Sequence, residues 1–147
     1  MSACGFQLRG VSKLPDYLSP MRLVTYNFET DQLSQLRFHL ERAGAKLTNR
    51  STDRAVKLVL SMTILPVRNI ADSAGTGSSI YRFSRQLEYS LSDADGGVLV
   101  EQIIITRQQD FEQDNKNVLA TESEKQSLGN LLDRELFNQL ISQLTRL

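Results

Sequence analysis

Ile80-Tyr81-Arg82-Phe83-Ser84-Arg85-Gln86-Leu87-Glu88-Tyr89-Ser90-Leu91 alternates between apolar and polar residues along its length. Tyr81, Phe83, Leu87, Tyr89 and Leu91 fall on one side, and Arg82, Ser84, Gln86, Glu88 and Ser90 on the other. Successive strand side chains point to opposite faces, so this period of two predicts a half-buried β-strand with one solvated face. Asp93-Ala94-Asp95-Gly96-Gly97 then carries tight-turn chemistry, and Val98 to Thr106 returns as a second strand. The pair reads as a long antiparallel hairpin.

Before the hairpin, Ala71 to Ser79 holds Gly75, Thr76, Gly77, Ser78 and Ser79, the most flexible composition in the chain, and is expected to be a loop projecting from the sheet. Val56 to Val67 is a further strand, and Pro66 confines its last part to an end or an edge. Met21 to Phe28 predicts the first strand. Thr30 is placed to cap a helix whose Leu33, Leu36, Leu40 and Ala43 recur at helical spacing, closed by Gly44. After a polar stretch from Gln113 to Asn117, a final helix is expected from Ser123 to Leu147. Its stripe is Leu128, Leu132, Leu136, Leu140 and Leu144, widened by Leu131 and Ile141.

The order strand, helix, three strands, helix (β-α-β-β-β-α) predicts an α+β fold: a two-layer sandwich with two helices on one face of a four-stranded sheet. A chain of 147 residues suits one such domain, taken as 21–147, behind an N-terminal tether at 1–20. Arg85 stands out, because strict alternation sets it on the apolar face with Phe83 and Leu87. A bulge must turn it, an acid such as Glu88 or Glu101 must pair with it, or it must snorkel past the sheet edge.

Lys plus Arg equals Asp plus Glu at 17 each, so no global field exists to hold a nucleic acid. The aromatics of the alternating strand also point to the helices rather than to the open face, where bases would stack. Catalysis finds little support either. The single histidine, His39, lies beside Arg42 on the first helix, metal-ligand spacing is absent, and neither a nucleophile elbow nor a phosphate loop is present. No run approaches the roughly 20 apolar residues of a spanning helix.

The only cysteine, Cys4, sits in Met1-Ser2-Ala3-Cys4-Gly5, where small residues flank it as a lipoprotein-processing peptidase requires. One cysteine excludes an internal disulfide, and acylation is one way to occupy an unpaired thiol outside the cytoplasm. A diacylglyceryl group on sulfur and a third chain on the amine would make a permanent membrane anchor. The expectation is a lipid anchor on Cys4 and no other cofactor.

Cys4-Gly5-Phe6-Gln7-Leu8-Arg9-Gly10, with Leu14-Pro15 shortly after, resembles the opening of the LptE family of outer-membrane lipoproteins. The likeness continues through Ala43-Gly44-Ala45, Ile80-Tyr81-Arg82, Glu88-Tyr89, Asp114-Asn115, Leu119-Ala120 and Glu124. The resemblance implies a non-enzymatic protein on the periplasmic side of the outer membrane. It would plug and support the barrel LptD and contact lipopolysaccharide. It carries that contact onto Arg82, with Arg85, Lys116 and Lys125 as further basic candidates, since Thr121 stands where the family has a lysine. Guanidinium groups suit the phosphates of such a lipid, offering bidentate bonds and a permanent charge. A lipoprotein serving another transport system or periplasmic ligand is the alternative.

Overall fold

The computed structural model describes residues 13–73, 75, 77–114 and 118–147, without the side chains of 73, 114 and 118–121. Cys4, and with it the lipidation expectation, lies outside the described residues, as do Lys116 and the Thr121 side chain.

A short 3-10 turn (Asp16–Leu18) leads into β1 (Met21–Tyr26), α1 (Thr30–Arg42), β2 (Val56–Ile64), β3 (Arg68–Ser73), β4 (Ser78–Ser92), β5 (Val98–Asp114) and α2 (Val118–Leu144). β1 runs parallel to β2 across the α1 crossover, and the remaining pairings are antiparallel. β4 is the spine. Along one of its edges lie β2, against Arg85 to Ser92, and β3, against Ser78 to Arg82. Along the other edge lies β5.

The architecture is α+β, with two helices and a mixed sheet of five strands rather than the expected four. The additional strand is β3, which takes the first part of the expected Ala71 to Ser79 loop. Between β3 and β4, Gly75 and Gly77 take positive φ of 92° and 67°, which glycine adopts without steric cost. Glycines and serines on the flanks read as a floppy loop, yet main-chain hydrogen bonds to β4 supply what side-chain propensity does not. For the same reason β5 runs on through the polar Gln108 to Asp114, past the expected end at Thr106. α2 also begins at Val118, one turn before Ser123.

Pro66 has the effect its chemistry demands. Ile64 pairs with Arg85 and Arg68 pairs with Arg82, so Leu65, Pro66 and Val67 face only Phe83 and Ser84. This extra residue kinks the edge and separates β2 from β3, because proline cannot donate to the ladder.

Leu58, Leu60 and Met62 of β2, Leu87, Tyr89 and Leu91 of β4, and Ile105 of β5 point from one sheet face into a core shared with Leu36 and Leu40 of α1 and Leu136, Phe137, Leu140 and Leu144 of α2. Each fully buried leucine or phenylalanine contributes roughly 1.5–3 kcal/mol. Phe137 stacks on Phe28 at 6.3 Å and meets His39 at 6.0 Å, so it joins the two helices. α1 begins differently from the expected Thr30 cap: Glu29 is the cap residue, and its N–H donates to Gln32 Oε1 at 2.9 Å. Gly44, with φ +96°, closes the helix as its position predicts, and Gly44 and Ala45 N–H groups return to the carbonyls of Glu41 and Leu40.

Candidate functional site

The candidate basic residues of β4 fall on two faces of the sheet. Alternation along β4 sends Arg82 to the open face and Arg85 to the helix face, three residues apart in sequence but not in one site.

On the open face, β3 and β4 set Arg68 directly opposite Arg82. Like charges in this position repel, and a partner must relieve them. Asp110, opposite Arg82 on β5, does so for one guanidinium: Arg82 Nε and Nη2 donate to its two carboxylate oxygens at 2.8 and 3.1 Å. Those hydrogen bonds hold the Asp110 carboxyl below its usual range and push the Arg82 guanidinium further up. Among the described residues Arg68 has no ion pair or side-chain hydrogen bond. Leu65, Pro66, Ser84, Thr106 and Gln108 complete a shallow cavity of about 420 Å³ around the two arginines. The site therefore joins two guanidinium groups, one carboxylate and a fringe of hydroxyl and amide donors, an arrangement suited to a phosphate or similar anion.

On the helix face, Arg85 has no room for an exposed ligand role. Its Nη1 comes within 2.5 Å of Asp133 Oδ1 on α2, a charge contact rather than an aligned hydrogen bond, and donates to the Gly129 carbonyl at 3.1 Å. Asp133 is 2% exposed, and its other oxygen accepts from Gln32 Nε2 at 3.2 Å. So Arg85 pairs with an acid, as its apolar setting requires, but neither with Glu88 nor with Glu101. Glu88 stays on the open face, accepting from Gln102. Half of the signal was present in the sequence: Arg85 interrupts the apolar face of β4 and so demands an acid, whereas Asp133 lies one residue past Leu132, beside the apolar stripe of α2 and not in it.

Lys125, on α2, borders the same cleft as Arg85 and pairs with Glu122 one turn earlier at 3.2 Å. The pairing of Arg82 with Asp110 is absent from the sequence reading, because it depends on a register of β5 beyond its expected end. Among the described residues, no three His, Cys, Asp or Glu side chains converge as a metal site would require. Nor is any described helix long and apolar enough to cross a membrane.

Residues 20–146 match the model of the family described as "LptE: Lipopolysaccharide-assembly". Among solved structures, a minor lipoprotein from Acinetobacter baumannii superposes with a TM-score of 0.75 at 16% identity, covering 90% of this chain and 94% of its own. A lipoprotein B from Nitrosomonas europaea gives 0.66 at 21%, covering 96% and 90%. A rare lipoprotein B from Shewanella oneidensis gives 0.63 at 14%, covering 86% and 91%. At these identities the structural likeness shows a shared fold. Among curated protein sequences none matches this chain.

Proposed function

Because this chain belongs to the LptE lipopolysaccharide-assembly family, whose members are non-enzymatic lipoproteins, we propose that it binds the anionic head of lipopolysaccharide through the Arg68–Arg82 pair. We further propose that it does so as the plug and assembly partner of an LptD-like outer-membrane barrel, tethered by a lipid on Cys4. The observation that carries the binding step is the direct opposition of Arg68 and Arg82, with one carboxylate, Asp110, paired to Arg82 on its other side. Two permanent positive charges against the single carboxylate that pairs with them leave this cluster with one uncompensated guanidinium in a chain of zero net charge. An incoming phosphate would engage Arg68 first and then compete with Asp110 for Arg82. That exchange is inexpensive, because the Arg82–Asp110 pair is solvent-screened.

The long β4–β5 blade suits the plug role. Its open face is mainly polar, carrying Arg82, Ser84, Gln86, Glu88, Thr106, Gln108 and Asp110 beside an exposed Ile104, and suits a wet barrel lumen. The test is to express the full-length gene with its native upstream region, extract membranes in mild detergent and weigh what copurifies in equal amount. A large β-barrel protein as the dominant partner supports the plug. An inner-membrane transporter, or no partner, refutes it and favours an accessory lipoprotein of another system.

A further inference from the structure

The helix face of the same kink carries a second cleft, of about 620 Å³, between β2, β4 and the first half of α2. We propose that it binds a single fatty acyl chain whose anionic head group meets Lys125. That the chain belongs to a lipid rests on the lipopolysaccharide-assembly reading; the cleft and its chemistry do not.

The kink leaves Ile64 and Val67, on either side of Leu65-Pro66, 58% and 49% exposed at the rim. Two large aliphatic side chains exposed beside one cavity form an apolar lip. Below them, Phe83 and Leu132 line the wall, and Phe83 is fixed edge-on against Phe111 at 6.1 Å. The far wall is Gly129 and Arg85, and because Arg85 is held by Asp133 and the Gly129 carbonyl it gives the cleft a polar end. A chain therefore lies along the strip from Ile64 to Leu132 and stops there. The volume is that of an ordinary small-ligand pocket.

Charge fixes the head group. Lys125 stands at the mouth with its side chain 35% exposed, and its partner Glu122 is 71% exposed. An exposed pair of this kind contributes little, so a ligand anion can take Glu122's place at small cost. Arg85 is not free to do the same. Carboxylate and phosphate heads share this chemistry, and the ligand could be a free fatty acid or a phosphorylated lipid.

The test is calorimetric titration of the purified full chain with laurate, dodecyl phosphate, dodecyl maltoside and octanoate, each below its micelle concentration. Saturable one-to-one binding of laurate and dodecyl phosphate is expected, with octanoate weaker by up to about fourfold for each methylene lost. Tighter dodecyl phosphate points to a phosphorylated lipid as the ligand; tighter laurate points to a free fatty acid. Val67→Glu should weaken every chain at least tenfold, and Lys125→Glu should weaken the three anionic ligands and leave dodecyl maltoside unchanged. Both positions are partly exposed, and an unchanged urea midpoint would show that the fold is intact. Absence of saturable binding, or binding indifferent to Val67→Glu, overturns the acyl site; binding lost in Val67→Glu but kept in Lys125→Glu overturns the head-group assignment. Arg68→Glu with Arg82→Glu should leave laurate binding unchanged while abolishing lipopolysaccharide binding. Were lipopolysaccharide binding unaffected while laurate bound as expected, the anion site would fail and the acyl site stand.

Discussion

Arg85 on β4 and Asp133 on α2 approach to 2.5 Å across the boundary between sheet and helix layer, with Asp133 almost wholly buried. Through Gln32, which also caps α1, the same carboxylate ties the second helix to the first. Breaking a buried pair by removing one member leaves an uncompensated charge. Asp133→Ala should therefore lower the unfolding free energy by about 3–5 kcal/mol, read from urea denaturation. Arg85→Leu combined with Asp133→Leu should recover most of that loss; a double variant as unstable as the single one would show that the pair itself stabilises the fold.

Gly129 offers a sign reversal. In a helix interior alanine is better than glycine by about 0.8–1.0 kcal/mol, but a Cβ here would lie 2.5 Å from Arg85 Nη2. The guanidinium cannot simply swing aside, because Asp133 holds it. Gly129→Ala should destabilise the natural protein, by about 1–3 kcal/mol, yet stabilise an Arg85→Leu background. The two urea midpoints should move in opposite directions.

Asp110 restrains the anion site. Asp110→Asn would release Arg82 and should tighten lipopolysaccharide binding at neutral pH, whereas Arg68→Glu should weaken it, both effects shrinking as salt is raised. Because Arg82 depresses the Asp110 carboxyl, the stability from their pairing is present above the ordinary aspartate value near 3.9 and is lost as pH falls below it through the folded value. Between pH 5 and 8 Asp110 stays ionised, so its restraint on binding should not vary with pH there. A rise in affinity on mild acidification would contradict this.

His39 gives a separate pH dependence. Burial first, then the charges of Arg42 and Arg134, lower its pKa from 6.5. The unfolded chain then binds the proton more readily than the folded one, so stability is full above 6.5 and declines as pH falls through that value toward the lower folded one. His39→Gln should flatten the decline in a series of urea melts between pH 7 and 5. An unchanged slope would place the titrating group elsewhere.

Where period and packing act together, the sequence was enough. Leu87, Tyr89 and Leu91 are buried as their alternation requires, and Leu132, Leu136, Leu140 and Leu144 point inward at their spacing of four. What escaped was held by the main chain or by partners distant in sequence. β3 and the end of β5 consist of residues with poor strand propensity, ordered by ladders to β4, and no local pattern reveals a ladder. Phe137 and Asp133 lie beside the leucine stripe, one residue past Leu136 and Leu132, and are buried with it. Arg82 could be placed on the solvated face from alternation, but its opposition to Arg68 required the one-residue shift that Pro66 introduces.

That shift also partitions the molecule mechanically. The half of β4 from Arg85 to Ser92 lies between β2 and β5 under the shared helix core, while the half from Ser78 to Arg82 is held mainly by β3 and the end of β5. Amides of the first half should exchange with solvent only on global unfolding, and those of the second through local opening. The distal hairpin can thus lengthen, shorten or change its side chains during evolution with little effect on the core, leaving the surface that meets a partner free to diverge faster than the fold that carries it.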